Sequence, residues 1–218
     1  MNRPAARFFH REFHSMKIDE IKDIYTKFSK TYEKEVQRDM SYTAHIRVPR
    51  LVMKHIQSTS PRILDLGCGT GLSSLPFFKK GYEVTGIDGS RAMIERARKL
   101  PYQKLLCQNL EKSLRVKDNS FDAVVMIGVM EYLDDPSAVI RQVKRKLVAA
   151  GVFGLTVPQK SAWYSESGLS SYYRKEIEPI MKALGFTILE CEKIVGVEEN
   201  GRRAYYRNYV LTPIRREA

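Results

Sequence analysis

Residues 63–71, with the sequence ILDLGCGTG, place three glycines and an aspartate directly after the start of a short apolar run. Glycine lets the backbone turn tightly and lets a ligand approach backbone N–H groups at the start of a helix. Gly67, Gly69 and Gly71 therefore predict a nucleotide-binding turn, with the Asp65 carboxylate beside it. A glycine cluster of this kind also occurs in purely structural turns, so the turn alone does not define a ligand.

Two further polar residues follow at spacings that suit a nucleoside. Asp88 ends the next apolar run, 17 residues after Gly71, where a carboxylate can accept hydrogen bonds from ribose hydroxyls. Asn109 follows the third apolar run, where the edge of an adenine ring would lie. Together with the glycine turn, these residues predict a nucleoside site.

The glycine spacing separates two kinds of nucleoside ligand. The dinucleotide fingerprint G-x-G-x-x-G would place a glycine at position 72, where this chain has Leu72. The observed G-x-G-x-G, preceded by Asp65, favours a ligand without a pyrophosphate, namely a nucleoside that carries an amino-acid tail. Hydride transfer by a nicotinamide enzyme is therefore disfavoured.

The elements that must position these residues alternate between strand and helix patterns. Apolar strands separated by helices form parallel sheets that are covered on both faces, so the pattern predicts an α/β fold. The predicted strands are Arg62–Leu66, Glu83–Ile87, Lys104–Cys107, Phe121–Ile127 and Val152–Val157, and the predicted helices between them are Leu72–Lys79, Ser90–Leu100 and Pro136–Leu147.

Further elements are predicted on both sides of this region. Lys17–Tyr32 has apolar residues at three- and four-residue spacings, and Pro49 can open a second helix because proline is tolerated in the first turn. Ser171–Leu184 predicts a helix that ends at the glycine after it. Phe186–Val195 and Tyr205–Thr212 should pair as an antiparallel hairpin, since neither needs a crossover helix.

Length and composition are those of a globular protein. The chain has 218 residues, a hydrophobic fraction of 43% and no apolar run near the roughly 20 residues that would span a bilayer. Three widely spaced cysteines match no zinc pattern and favour a reducing compartment, so we expect a cytoplasmic protein. We expect residues 17–218 to form one domain, and residues 1–16 to be a flexible extension or an organelle-targeting segment.

The motifs ILDLGCGTG and VTGIDGS, the strand SFDAVV and the hairpin after LGF resemble the class I, Rossmann-like S-adenosylmethionine-dependent methyltransferases. The resemblance covers roughly residues 20–212 and is nearest to the branch of ubiquinone- and menaquinone-biosynthesis-like enzymes that act on small molecules. It implies a three-layer sandwich around a seven-stranded, mostly parallel sheet with an antiparallel last strand, and N-terminal lid helices. It also implies S-adenosylmethionine as cofactor and S-adenosylhomocysteine as product.

The same resemblance implies roles for individual residues. Asp65 would help to orient the amino group of the methionine moiety, and Asp88 would hold the ribose. Tyr25 and Tyr32, on the predicted lid helix, would reach the cofactor, although both could equally be core residues. The full set implied for the cofactor is Tyr25, Tyr32, Asp65, Gly67, Cys68, Gly69, Gly71, Asp88, Gly89, Met93, Asn109, Leu110, Ile127, Gly128 and Val129.

Departures from related families narrow the chemistry. Quinone O-methyltransferases that bind a metal place acids and a histidine after the fourth strand, and only Glu131 is of that kind here, so we expect no metal. No Asn/Asp-Pro-Pro-Tyr motif follows that strand, which argues against methylation of adenine or glutamine amino groups. No cysteine is placed at a strand end to attack a pyrimidine, so 5-methylcytosine chemistry is unsupported.

Methyl transfer from a sulfonium is an in-line displacement, for which the protein aligns the reactants and, for some acceptors, removes a proton. The candidates for removing that proton are His45, in the predicted loop Ser41–Val48, and Glu131 and Tyr132, after the fourth strand. His45 could instead be a structural histidine, and Glu131 a surface or capping residue. The connection Pro158–Tyr173 is rich in aromatic residues and could form an acceptor pocket or pack against the lid helix.

Three functions remain open. The leading one is a methyltransferase acting at an oxygen, nitrogen or carbon atom of a small molecule. An RNA methyltransferase is the alternative that the net charge of +12 permits, and a steep salt dependence of RNA binding would support it. Five arginines near the end of the chain favour it as well: Arg202, Arg203, Arg207, Arg215 and Arg216. The third is a non-catalytic cofactor-binding or scaffold protein on the same fold.

Overall fold

The computed structural model describes residues 42–167, 169–199 and 202–214. These residues form a seven-stranded sheet with helices and short 3₁₀ turns between the strands. The strands are β1 Arg62–Leu66, β2 Glu83–Asp88, β3 Lys104–Cys107, β4 Phe121–Met126, β5 Leu147–Pro158, β6 Phe186–Glu199 and β7 Arg202–Pro213. The helices are α1 Ala44–Met53, α2 Leu75–Phe78, α3 Arg91–Ala97, α4 Pro136–Lys146, α5 Ala162–Ser167 and α6 Arg174–Ala183, with 3₁₀ turns at Leu72–Ser74 and Met130–Tyr132.

The strand order is β3-β2-β1-β4-β5-β7-β6. Strands β1 to β5 pair in parallel, whereas β7 is antiparallel to both β5 and β6. The chain reverses its direction of travel across the sheet between β1 and β4, which is where open α/β sheets bind ligands. The predicted sheet of seven strands, mostly parallel with an antiparallel last strand, is confirmed.

Each face of the sheet packs against its own layer of helices, because successive side chains of a strand point to opposite faces. On β1, Leu64 and Leu66 join the cluster that includes α4 and α6. Ile63, one residue away, joins the cluster that includes α1. Asp65 follows Ile63 at the strand period of two, so it lies on the α1 face of a strand that is buried from Ile63 to Leu66.

Helix α1 differs from the prediction. It begins at Ala44, so His45 lies in its first turn and not in a loop, and Pro49 is inside the helix. Proline there cannot donate to the carbonyl of His45, and its ring crowds that carbonyl, so it weakens the helix at this point. Burial of Ala44, Val48 and Val52 at a spacing of four residues, each fully buried against the sheet, stabilises the helix on both sides of Pro49.

Other elements also differ from the prediction, either because they are too short to show helical periodicity or because their ends lie elsewhere. The 3₁₀ turn Met130–Tyr132 and helix α5 were not predicted, since neither is long enough to show helical periodicity. Strand β5 begins five residues earlier than predicted, and both hairpin strands are longer. Residues 1–16 and the predicted helix Lys17–Tyr32 lie outside the described residues. Within the described part of the chain, no helix combines the length and apolar character needed to cross a bilayer.

Candidate active site

The glycine turn is shaped by backbone conformations that favour glycine. Gly67, Gly69 and Gly71 have φ values of 71°, 54° and 101°, which side chains other than glycine rarely adopt. The N–H groups of Gly67 and Cys68 both donate to the carbonyl of Ile87, at 2.8 and 3.1 Å, and so attach the turn to β2. A Cβ on Gly67 would overlap the side chain of Val129. The turn is therefore a fixed part of the sheet edge.

Asp65 lies directly beneath this turn and is fully buried. The hydroxyls of Ser73 and Ser74 donate to its Oδ2 at 2.6 and 2.7 Å, and Tyr102 in turn donates to Ser74 at 2.9 Å. Within the described residues, its Oδ1 has no hydrogen-bond partner. Burial raises the pKa of Asp65 to about 6, against the two serine hydroxyls, which lower it. An unsatisfied carboxylate oxygen at this position suits a cationic donor.

Asp88 ties the end of β2 to the turn. Its Oδ2 accepts the N–H of Gly69 and its Oδ1 that of Ser90, each at 2.8 Å. Burial raises the pKa of this carboxyl, and the two backbone N–H donors oppose the rise. Both oxygens keep a second lone pair, so the carboxylate is held rigidly and can still accept from a ligand hydroxyl.

The end of β4 closes the other side of the turn. Ile127 lies with Gly67 and Cys68 around a small cavity against the turn. The next residue, Gly128, has φ 67° and donates its N–H to the hydroxyl of Thr156 on β5 at 2.7 Å. These contacts, with that of Val129 on Gly67, place the three residues predicted after β4 beside the glycine turn.

The remaining predicted cofactor residues follow β2 and β3. Met93 is buried in the first turn of α3, and the carbonyl of Gly89 accepts from Cys107 at 3.7 Å. Asn109 shapes the loop after β3, since its Oδ1 accepts the N–H of Glu111 at 2.9 Å. Leu110 is buried in the core on the α4 side. Two more, Tyr25 and Tyr32, lie outside the described residues.

Among the catalytic candidates, Glu131 has the most unusual surroundings. Only 5% of it is exposed, and its Oε1 accepts the hydroxyl of Tyr206 at 2.5 Å. Its Oε2 is buried and has no partner in the described part of the chain. Burial raises the pKa of Glu131 to about 7, although the Tyr206 hydroxyl lowers it. A surface ion pair for Glu131 is therefore wrong, because the side chain is inside the protein.

Glu131 belongs to a group that we call the tyrosine cluster, made of Glu131, Tyr42, Tyr164 and Tyr206. The Tyr206 ring meets those of Tyr42 and Tyr164 edge-on, with centroids 5.5 and 6.0 Å apart. The hydroxyl of Tyr42 lies 3.3 Å from the position of a Cβ on Gly128, so the cluster reaches the end of β4. Burial raises the pKa values of Tyr164 and Tyr206 well above their usual range.

Sequence reasoning missed Tyr42 and Tyr206. Tyr206 is 75 residues beyond Glu131, and only the pairing of β5 with β7 brings the two together. The alternation along β7, where Ala204, Tyr206, Asn208 and Val210 are all buried, was the available signal that Tyr206 points inward.

The other two catalytic candidates occupy different positions. His45 is 8% exposed and stacks on Tyr42, with ring centroids 6.3 Å apart, and it lines the small cavity at the turn. Burial lowers its pKa, which favours the neutral ring. Tyr132 is half-buried and packs against the core on the α1 side. His45 is thus the one of the two that lies against the glycine turn.

The aromatic connection Pro158–Tyr173 divides into separate environments. Tyr164 is buried in the tyrosine cluster, and Tyr172 packs against the core on the α4 side. Tyr173 is 50% exposed, with the ammonium of Lys160 5.0 Å from its ring centroid. No described residue of this connection lines the small cavity at the glycine turn: Tyr164 is fully buried and Tyr173 is exposed to solvent, so the acceptor pocket predicted here stays a prediction.

A glycine turn at the switch point of an α/β sheet, a buried acid beneath it and a second acid at the end of the next strand define a nucleoside-binding α/β protein. Residues 64–155 match the family described as a methyltransferase domain. The match covers less than half of the chain and includes the glycine turn, Asp65 and Asp88. It agrees with the predicted resemblance to the class I S-adenosylmethionine-dependent methyltransferases and with that cofactor.

Two curated relatives match part of the chain. The ubiquinone biosynthesis O-methyltransferase of Pasteurella multocida is 32% identical over 108 residues, covering 43% of this chain and 45% of that protein. The phosphatidylethanolamine N-methyltransferase of Cereibacter sphaeroides is 32% identical over 124 residues, covering 54% and 61%. The chain therefore spans about half the length of these relatives.

The fold is shared more widely than the sequence. The magnesium protoporphyrin IX methyltransferase of Synechocystis PCC 6803, solved with bound SAH, superimposes with a TM-score of 0.71 at 17% identity. The match covers 90% of this chain and 100% of that one. The two chains therefore share their fold over almost the whole of this chain.

Proposed function

We propose that this protein is an enzyme that transfers the methyl group of S-adenosylmethionine to an oxygen, nitrogen or carbon atom of a small molecule. The observation that carries the proposal is the bonded unit formed by Asp65, the glycine turn and Asp88. Direct hydrogen bonds join Asp88 to Gly69, and the turn to β2. A merely structural turn needs neither a buried acid with an unsatisfied oxygen nor an acid held by two backbone N–H groups.

The residues present fit this cofactor. Asp65 would accept the ammonium of the methionine moiety at its unpartnered Oδ1, and Asp88 would accept the ribose hydroxyls. Gly67 and Gly69 have no side chains between the ligand and the backbone. When bound, the cofactor supplies an electrophilic methyl group on a sulfonium. The protein contributes position and exclusion of water at the carboxyl ends of β1, β2 and β4.

The tyrosine cluster contains a candidate base for the methyl acceptor, Glu131. An acceptor hydroxyl or amine loses a proton as its lone pair forms the new bond to carbon, and that proton needs a base. Glu131 is an acid with a pKa near neutrality and an unpartnered Oε2, so it can take up a proton at physiological pH. Tyr206 holds Oε1, which fixes the direction of the carboxylate. The named relatives act at oxygen and at nitrogen, in keeping with such a base.

Labelled cofactor provides the test. The protein is incubated with S-adenosylmethionine carrying a labelled methyl group and a metabolite extract, and label is expected in small molecules. Asp88→Ala is the control, in which transfer should be lost together with binding of S-adenosylhomocysteine in calorimetry. Absence of cofactor binding by the unmodified chain at millimolar concentration would refute the proposal, as would label confined to RNA.

A further inference from the structure

A cavity of about 740 Å³ lies between helix α1 and the segment 72–80. This volume is within the range of pockets that hold small molecules. Its walls are largely apolar and include Ile46, Met53, Leu75 and Pro76. The cavity shares Tyr42, His45 and Leu72 with the small cavity at the glycine turn, so the two cavities are adjacent.

The charges on the cavity are all of one sign. Arg50, Lys79 and Lys80 line it, and no Asp or Glu is among its described lining residues. None of the three cations forms an ion pair within the described ranges. The cavity therefore combines apolar walls with cations that an anion could pair with.

Two other cations of helix α1 and its end are paired with acids. Arg47 pairs with Glu192 at 2.5 Å, and Lys54 pairs with Glu190 at 3.3 Å, both on strand β6. Helix α1 is therefore neutralised on the side that faces β6, whereas Arg50 lines the cavity and pairs with no acid among the described residues. This contrast distinguishes the cavity from a uniformly basic surface.

Each cation is separated along its own helix from the end of the cavity that the turn shares. Arg50 is five residues beyond His45 on α1, which is roughly 8 Å along a helix axis at 1.5 Å per residue. Lys79 and Lys80 follow the end of α2, away from the glycine turn. Since the cavity is also lined by apolar side chains such as Ile46 and Leu75, an occupant paired with these cations would place its other, apolar end toward His45 and the turn.

We propose that this cavity binds a small apolar molecule that ends in a carboxylate, and that this is the chemical class of the methyl acceptor. The carboxylate pairs with Lys79, Lys80 and Arg50, and the reacting end reaches Tyr42 beside the glycine turn. The assignment of this molecule as the methyl acceptor rests on the function proposed above. The binding of the carboxylate is argued from the cavity alone.

Three probes of equal length separate charge from apolar contact: decanoate, decanol and decylammonium, each titrated by calorimetry into the full chain with saturating S-adenosylhomocysteine. Decanoate should bind at least tenfold more tightly than the other two, and its advantage should shrink as salt is raised. The double variant Lys79→Gln/Lys80→Gln should remove most of that advantage. Ile46→Glu, at a cavity position that is 38% exposed, should weaken decanoate but not decylammonium.

The matched control is Lys117→Gln/Lys182→Gln, which removes the same charge from two exposed lysines outside the cavity and should leave decanoate binding unchanged. Equal affinities for decanoate and decanol, or an advantage that survives in Lys79→Gln/Lys80→Gln, would overturn the inference. So would binding only in step with dimerisation in light scattering, which would mean that a second copy covers the cavity. If S-adenosylhomocysteine binds and decanoate does not, this inference fails alone; if S-adenosylhomocysteine does not bind, the proposed function fails.

Discussion

Asp88 is the residue on which the geometry of the cofactor site most depends, because it accepts backbone N–H groups from both the turn and the start of α3. In Asp88→Asn the side-chain NH₂ group would face one of those backbone N–H groups, so one hydrogen bond would be replaced by two opposed donors. Loss of a charged hydrogen bond costs about 1.5–3 kcal/mol. We expect roughly a 10- to 100-fold loss of affinity for S-adenosylhomocysteine in calorimetry.

Asp122 offers a matched control for that substitution. Its Oδ2 accepts the backbone N–H of Arg62 at 2.8 Å, so it is also an aspartate bonded to the backbone, but at the other end of β1. Asp122→Asn should lower the free energy of unfolding by a similar amount and leave cofactor affinity unchanged. Equal losses of affinity in the two variants would contradict a specific role for Asp88.

Glu131 makes the stability of the protein depend on pH. Burial raises its pKa from 4.5 to about 7 in the folded state, so the folded chain retains this proton over a range in which the unfolded chain has lost it. Its contribution to stability is therefore complete below about pH 4.5 and is lost as the pH rises through about 7. At about 1.4 kcal/mol per tenfold change in ionisation constant, the loss is about 3 kcal/mol.

Urea unfolding of the wild type and of Glu131→Gln at pH 5 and pH 7.5 isolates this effect, since the other titrations are common to both. The difference in unfolding free energy between the two proteins should change by about 2–3 kcal/mol between the two pH values. Tyr206→Phe removes the hydrogen bond that favours the ionised form, so it should shift the pH dependence upward. A pH-independent difference would mean that Glu131 is ionised throughout.

At the scale of elements, the glycine turn depends on two separate constraints, backbone conformation and space. Gly67 and Gly81 have nearly the same φ, 71° and 74°, but a Cβ would overlap Val129 at Gly67 and meet nothing within 4 Å at Gly81. Gly81→Ala should cost only the conformational part, about 1–2 kcal/mol. Gly67→Ala should cost more in urea unfolding and should also abolish cofactor binding.

The double variant Gly67→Ala/Val129→Ala separates the two constraints. Removal of the Val129 side chain relieves the overlap, so the double variant should be more stable than the sum of the two single substitutions. The conformational cost of a positive φ at Gly67 should remain. If the loss of unfolding free energy in the double variant equals the sum of the two single losses, the turn accommodates the Cβ added at position 67 by moving.

Much of the sheet follows from local pattern. Strands β1 and β3 have the predicted bounds, because each is a short apolar run between polar or turn residues. Local preferences place proline in a first turn, so the pattern predicts that helix α1 begins at Pro49. Burial of Val48 and Val52 against the sheet overrides that preference, which no single segment of sequence expresses.

Part of the candidate site also follows from local sequence pattern, and part depends on long-range pairing of strands. The residues from Asp65 to Gly71, and Asp88, are contiguous motifs on predicted strands, so their proximity follows from parallel topology. The contact between Glu131 and Tyr206 depends on the antiparallel pairing of β7 with β5 and on the inward face of Tyr206, so it joins segments 75 residues apart. The cavity beside α1 depends on the true start of that helix, which local pattern around His45 does not reveal.

At the scale of the whole molecule, the net charge of +12 must be weighed against what the surface displays. Proteins that bind single-stranded RNA combine cations with exposed aromatic side chains on which bases stack. Among the aromatic side chains whose exposure the structure describes, Tyr173 is the one strongly exposed, and two lysines already lie over its ring. Several surface arginines are paired with acids, including Arg47, Arg174 and Arg203.

We therefore expect RNA binding by phosphate contact alone. In fluorescence anisotropy with a labelled single-stranded RNA, the affinity should be weak near physiological salt and independent of sequence, and S-adenosylhomocysteine should not change it. Tyr173→Ala should have little effect, because a phosphate contact needs no stacking. Tight binding that couples to the cofactor, with methyl label in ribonuclease-sensitive material, would instead identify RNA as the acceptor, and decanoate binding in the cavity beside α1 would then be incidental to methyl transfer.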